Sequence, residues 1–209
     1  MVEQGATLFE EVRPKSLKAI SEAIDDCRRC PIGCNGTDAV MGEGPKAAGL
    51  MIVGEQPGDV EEQQQRPFVG PAGRLLDKHL QQAGIDRGET YLTNAVKHFK
   101  FVQRGKRRLH KTPTAREIDI CRWWLDGERG LIRPRHVLAM GASAARGVLG
   151  RSTSIGRERG EPIAGEDCTI WVTVHPSFLL RVPDNREQEE EKFQADLQRV
   201  AAAMARDGG

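Results

Sequence analysis

Residues 49–59 read GLMIVGEQPGD, and this stretch decides the fold. Leu50, Met51, Ile52 and Val53 are consecutive apolar residues with no polar alternation. A strand with one wet face alternates with period two. A continuous apolar run of this length, closed by Gly and Pro-Gly, reads as a strand covered on both faces. Three further runs share the pattern: TYLTNAV (90–96), RHVLAMG (135–141) and TIWVTVH (169–175). Helical patterns lie between them. GPAGRLLDKHLQQAG follows the first run. TPTAREIDICRWWLDGE follows the second, with Thr112 placed to cap it and Pro113 at its first position. ASAARGVLG follows the third, and the charged REQEEEKFQADLQRVAAAMA forms a last helix. Alternating strands and helices imply an α/β fold, a three-layer α/β/α sandwich with a central four-stranded parallel sheet.

The 209 residues match the size of one domain. There is no internal repeat and no low-complexity linker, so residues 1–209 are read as a single domain. Within it, residues 1–48 form a leader with one helix and a cysteine-rich turn, and residues 97–112 form a basic loop. Hydrophobic residues make up 38% and charged residues 29%, as in ordinary globular proteins. The net charge of +1 gives no sign of a polyanionic partner, but its distribution does. Between Thr90 and Arg116 there is no Asp or Glu, while Lys97, Lys100, Arg104, Lys106, Arg107, Arg108, Lys111 and Arg116 all fall there. The N-terminus has no apolar core of a secretion signal, and no run approaches the roughly 18 apolar residues of a membrane span. The expectation is a cytoplasmic monomer without a membrane partner, its five cysteines reduced.

Ligands of open parallel sheets bind at the carboxyl ends of the strands. Here those ends are GEQPGD, NAVKH, GAS and HPS, so Glu55, Gln56, Asp59, Asn94 and His175 should converge on one crevice. Glu55 and Asp59 could orient a water or a side chain, or stabilise a developing cation. Phe68, between Pro67 and Pro71, is suited to stacking on a flat ring. The amide of Asn94 sets a donor beside an acceptor and can match the edge of a pyrimidine. His175 ends the last strand, with Arg181 shortly after it. In GKRRLHKTPT (105–114) a lone imidazole, His110, sits among cations that would keep it neutral, a base or nucleophile near a phosphate backbone.

Cys27-Arg-Arg-Cys30 is a CxxC, followed by Cys34 and, far along a helix, Cys121. Zinc, an iron–sulfur cluster and a redox pair are all compatible with it. On spacing alone the ligands would be Cys27, Cys30, Cys34 and Cys121, with His98 an alternative fourth. Cys168 precedes a buried strand and reads as structural.

Together these motifs resemble the uracil-DNA glycosylase superfamily, from Cys27 to about Arg181. GEQPG with PFVGPAGRLL resembles the first motif of its iron–sulfur members, TNAVKH their next segment and HPSFLLR their His-Pro segment. Gln56 in GEQPG, His98 where a fourth cysteine is usual, and the longer KRRLH segment resemble the UdgX group. That resemblance implies a [4Fe–4S] cluster on Cys27, Cys30, His98 and Cys121, leaving Cys34 without a role. It implies excision of uracil from DNA, single-stranded and possibly double-stranded. Phe68 would stack on the base, Asn94 would pair with its edge, and His175 would help the anion leave. His110 would attack C1′ and stay covalently joined to the abasic sugar, with Glu55 orienting it. Gln56, Asp59 and Arg108 would serve substrate binding, with Lys106, Arg107 and Arg108 on phosphate. A turning-over glycosylase and a non-catalytic iron–sulfur nucleic-acid binder are the competing expectations.

Overall fold

The computed structural model describes residues 13–182 and 184–207; the first twelve residues of the expected leader lie outside the described residues. The elements run α1 (Leu17–Ile24), β1 (Leu50–Gly54), α2 (Asp59–Gln64), α3 (Pro71–Gln82), β2 (Thr90–Asn94), β3 (Phe101–Arg104), β4 (Arg107–His110), α4 (Ala115–Ile132), β5 (His136–Met140) and α5 (Ala142–Leu149). They continue with α6 (Ile155–Glu158), β6 (Ile163–Ala164), β7 (Thr169–Thr173), α7 (Pro176–Leu179) and α8 (Arg186–Asp207). The four strands expected from the apolar runs form a parallel array in the order β2-β1-β5-β7. A two-residue antiparallel strand, β6, extends it at the β7 edge, so the sheet has five strands rather than four.

The apolar runs are continuous because the two faces of each strand enter two different cores. Met51 and Val53 of β1 pack under α1, α4 and α5, with Ile20, Ile24, Trp124, Leu125 and Val148. Leu50 and Ile52, pointing the other way, pack under α3 and α8, with Leu76, Leu80, Phe193 and Leu197. All four are fully buried. This is the three-layer sandwich.

Two expectations are corrected. The basic loop is in fact a β-hairpin: β3 and β4 pair antiparallel, with Phe101 opposite His110 and Arg104 opposite Arg107. Gly105, at φ 58°, takes the left-handed first position of its two-residue turn. Helix α4 is capped by Thr114 rather than Thr112. The Thr114 hydroxyl accepts from the Glu117 backbone N–H, and Glu117 accepts from the Thr114 N–H at 2.6 Å. Such a reciprocal cap needs a Glu or Gln three residues on. Thr114 has one in Glu117, whereas Thr112 has Ala115.

Candidate active site

A cleft of about 1070 Å³ opens at the carboxyl ends of the strands. Glu55, Gln56, Asp59, Phe68, Asn94, His110 and His175 all line it. Glu55, Gln56, Asp59, Asn94 and His175 come from the end of a strand or the segment directly after it, Phe68 from the connection between α2 and α3, and His110 from the hairpin. The crevice argument from the sequence therefore holds for the strand-end residues, and the hairpin adds the imidazole.

Glu55 sits at the centre. Its Oε1 lies 3.1 Å from His110 Nε2 and its Oε2 accepts from Ser143 Oγ at 2.5 Å. Burial works against the carboxylate, but the hydrogen bonds from His110 and Ser143 outweigh it and leave the Glu55 pKa below its usual value. Glu55 is thus an anion at neutral pH with both oxygens engaged. Asp59, the second acid of the motif, accepts from Arg108 Nε at 2.5 Å and from Gln63 at 2.9 Å.

His175 is held in one tautomer. Its Nδ1 accepts from the Ser177 backbone N–H at 3.1 Å, which leaves the proton of the neutral ring on Nε2. Burial pushes its pKa down to about 4, against the opposing pull of Glu55. The ring is therefore neutral and a donor. Phe68 stacks near it, with ring centroids 6.3 Å apart. Phe68 has φ 57°, a left-handed conformation unusual for an aromatic residue. The side-chain amide of the buried Asn94 has no hydrogen-bond partner among the described residues and borders the cleft.

Two expected substrate contacts are engaged elsewhere. Arg108 donates to Asp59 and, through Nη2, to Glu62 at 2.7 Å, and its guanidinium lies 5.5 Å from the ring centres of both Phe99 and Phe101. It therefore straps the hairpin down and is not turned to a phosphate. The Gln56 amide donates to the carbonyls of Lys100 (3.1 Å) and Lys111 (3.3 Å), and its oxygen accepts from the Lys100 N–H. Lys100 and Lys111 are the two roots of the hairpin, so Gln56 clamps the element that carries His110. Of the cations in the basic segment, Lys97 pairs with Glu128 and Lys100 with Glu117. Arg104, Lys106, Arg107, Lys111 and Arg116 have no ion-pair partner among the described residues, so they remain available to an anionic ligand.

Sequence reading missed three features. Ser143 gave no signal beyond its place after a strand, in GAS. Phe178 and Leu180 are apolar yet 40% and 41% exposed at the rim of the cleft, where the HPSFLLR run drew attention only to His175 and Arg181. Lys97 and Glu128 are both fully buried and paired at 2.5 Å, a pair that spans 31 residues of sequence.

The cysteine region fits a cluster in its donor chemistry. Burial pushes the Cys121 thiol up to about 12, with neighbouring Cys30 and Cys27 adding to it and Lys97 opposing. Those three thiols therefore sense one another. The Trp124 ring N–H donates to Cys27 Sγ at 3.3 Å. His98 is buried, and its Nε2 has no hydrogen-bond partner, an orphan that a metal bond would satisfy. The turn carrying the CxxC lies over this histidine: a Cβ on Gly33 would stand 3.8 Å from His98 Cε1. Cys34 is exposed, and Cys168 accepts from Arg129 at 3.7 Å, well along the chain from the other thiols. Among the described residues no three His, Cys, Asp or Glu side chains converge as on a single ion. A four-iron cluster takes each ligand on a different iron and does not require that convergence.

The fold and the cleft define a class: an α/β protein whose cleft at the strand ends gathers an anionic carboxylate, two imidazoles, an amide and an aromatic ring. Residues 41–198 match the Uracil DNA glycosylase superfamily, and the chain belongs to that superfamily. It is 34% identical to the type-4 uracil-DNA glycosylase of Pyrobaculum aerophilum, covering 87% of this chain and 91% of that protein. It is 33% identical to the type-4 enzyme of Thermotoga maritima, covering 94% and 98%. The type-4 enzyme of Sulfurisphaera tokodaii is 30% identical over 85% of this chain and 82% of its own length.

Proposed function

We propose that this protein takes uracil out of DNA, cuts its glycosidic bond, and stays joined through His110 to C1′ of the abasic sugar. The single observation that carries this reading is the 3.1 Å contact between His110 Nε2 and Glu55 inside the cleft. A glycosylase that uses water needs an acid free to direct it. Here Glu55 is engaged by His110 and Ser143, and Asp59 by Arg108, so the imidazole occupies the place such a water would take.

The steps follow from the side chains. The flipped base lies on Phe68, and the free amide of Asn94 pairs with its polar edge. His175, neutral and with its proton on Nε2, donates to a uracil carbonyl as the glycosidic bond breaks and uracil leaves as an anion. The sugar becomes an oxocarbenium-like cation. A ring nitrogen of His110 gives its electron pair to C1′, and the imidazole proton passes to the Glu55 carboxylate. Arg104, Lys106, Arg107, Lys111 and Arg116 supply phosphate contacts, and the exposed Phe178 and Leu180 are placed to fill the stack left by the base. Cys27, Cys30, His98 and Cys121 would hold a [4Fe–4S] cluster, and so bound it would pin the leader to the segment at the hairpin's root.

The test is a mixing experiment. Purified protein is incubated with a labelled single-stranded uracil oligonucleotide, boiled in SDS and run on a denaturing gel. The expected result is a shifted band that survives boiling. His110→Ser should lose that band and still release uracil, leaving a free abasic site. Strand cleavage after alkali with no shifted band in the unmutated protein would mean ordinary turnover, which the likeness to the type-4 enzymes favours. No uracil release at all would leave a nucleic-acid binder.

A further inference from the structure

Glu55 stands on a turn after β1, and His110 on a hairpin whose imidazole is 44% exposed. Neither element by itself fixes how the carboxylate faces the ring. The third member of the contact comes from the helix that follows a central, fully buried strand. Ser143 is in the first turn of α5, directly after the fully buried β5, and is itself 8% exposed. The chain leaves β5 through Gly141 at φ 89°, whose N–H donates to the Thr173 carbonyl of the neighbouring strand at 2.8 Å. The Ser143 hydroxyl is thereby set against Glu55 Oε2 at 2.5 Å, the length of a strong charge-assisted bond.

We propose that Ser143 is a positioning residue of the reaction: it holds the Glu55 carboxylate by one oxygen so that the other stays turned to the His110 imidazole. The proposal rests on the reading of His110 as nucleophile. A carboxylate anchored at one oxygen has its plane defined, and the ring nitrogen then meets a proton acceptor already in place. The Ser143 hydroxyl donates more strongly to the anion than to the neutral acid, so it favours the ionised Glu55 that must take up the imidazole proton. The other titratable groups that face Glu55 are His110 on the hairpin and His175 past β7, with Arg181 beyond His175.

The test is the single-turnover rate of adduct formation against pH for the wild type, Ser143→Ala and Ser143→Thr, with DNA affinity measured alongside. Alanine suits a helix, and Glu55 keeps its contact with His110, so the variant should fold. Ser143→Ala is expected to slow adduct formation roughly tenfold, the loss of one charge-assisted hydrogen bond. Its acidic limb should move to higher pH, because Glu55 loses a donor that favoured its anion, while DNA affinity stays unchanged. Ser143→Thr keeps the hydroxyl and should restore both rate and limb. An unchanged rate and limb in Ser143→Ala, with adduct formed by the wild type, overturns the role of Ser143 alone. Equal losses in both variants with an unmoved limb would also overturn it, leaving a packing role. A wild type that forms no adduct overturns the His110 reading itself, whatever Ser143 does.

Discussion

Gly54 shows how little room the pocket has at the level of one residue. A Cβ there would lie 2.5 Å from Asn94 Oδ1 and 2.6 Å from the Phe68 ring. The two residues proposed to pair with and stack on the base approach each other only because Gly54 has no side chain. Gly54→Ala should therefore cut uracil release by more than tenfold while costing about 1–3 kcal/mol of stability, the usual range for overpacking. Excision assays and urea unfolding would check the two effects separately. His175 supplies a pH dependence. Its pKa falls from 6.5 to about 4 in the fold. Between those values the unfolded chain binds a proton that the folded ring refuses, so stability is full above about pH 6.5 and declines as pH falls toward 4. The contribution is about 3 kcal/mol at most. His98 and His136 are lowered too, so the comparison needs His175→Asn, whose stability should fall less steeply over that range.

At the scale of elements, the hairpin β3–β4 is the part that makes this cleft particular. It is held at its root by Gln56 and along its inner face by Arg108. Strand alternation puts Phe101, Gln103, Arg108 and His110 on that inner face, and Val102, Arg104, Arg107 and Leu109 on the other. Arg108→Gln removes both ion pairs, leaving Asp59 with Gln63 and Glu62 with the Asp38 backbone N–H but neither with a cation to hold the hairpin. The expected outcome is adduct formation slowed by tenfold or more with a smaller effect on uracil release, read from the same gel and a base-release assay. The cysteine turn has its own requirement. A Cβ on Gly33 would meet the Cys27 carbonyl at 2.3 Å, so Gly33→Ala should open the turn. Purified Gly33→Ala protein should hold less iron per chain than the wild type, measured by iron assay and visible absorbance.

At the scale of the whole molecule, the Lys97–Glu128 pair ties the layers together. Glu128 on α4 also accepts from the Gly42 N–H of the leader, from Tyr91 and from Thr93 of β2. Glu128→Ala would leave Lys97 charged and unpaired in the core, at a cost of about 3–5 kcal/mol. The melting temperature should fall by roughly 10 °C. The surface makes a different prediction. If Lys106 and Arg107 each touch a phosphate, replacing both by Gln should lower the slope of log affinity against log salt by roughly 1.4 on single-stranded DNA. No helix among the described residues is long and apolar enough to cross a membrane.

The four parallel strands and their order of appearance were legible in the sequence, because a strand buried on both faces must be apolar without interruption. The strand-end residues were legible for the same reason: Gly, Pro and polar residues stop such runs where the sheet stops. The hairpin read as a loop because its strands are short and exposed, and their alternation is filled by cations rather than by a clear apolar face. The partners of Arg108, Gln56 and Ser143 were beyond any local pattern. Asp59 is 49 residues from Arg108, and Ser143 is 88 residues from Glu55. Chain spacing carries no information about such pairs. Residue types and local periodicity determined the sheet and the composition of its open edge. Which side chain holds which was decided only when packing brought distant strand ends to one crevice, where a buried charge must find its partner.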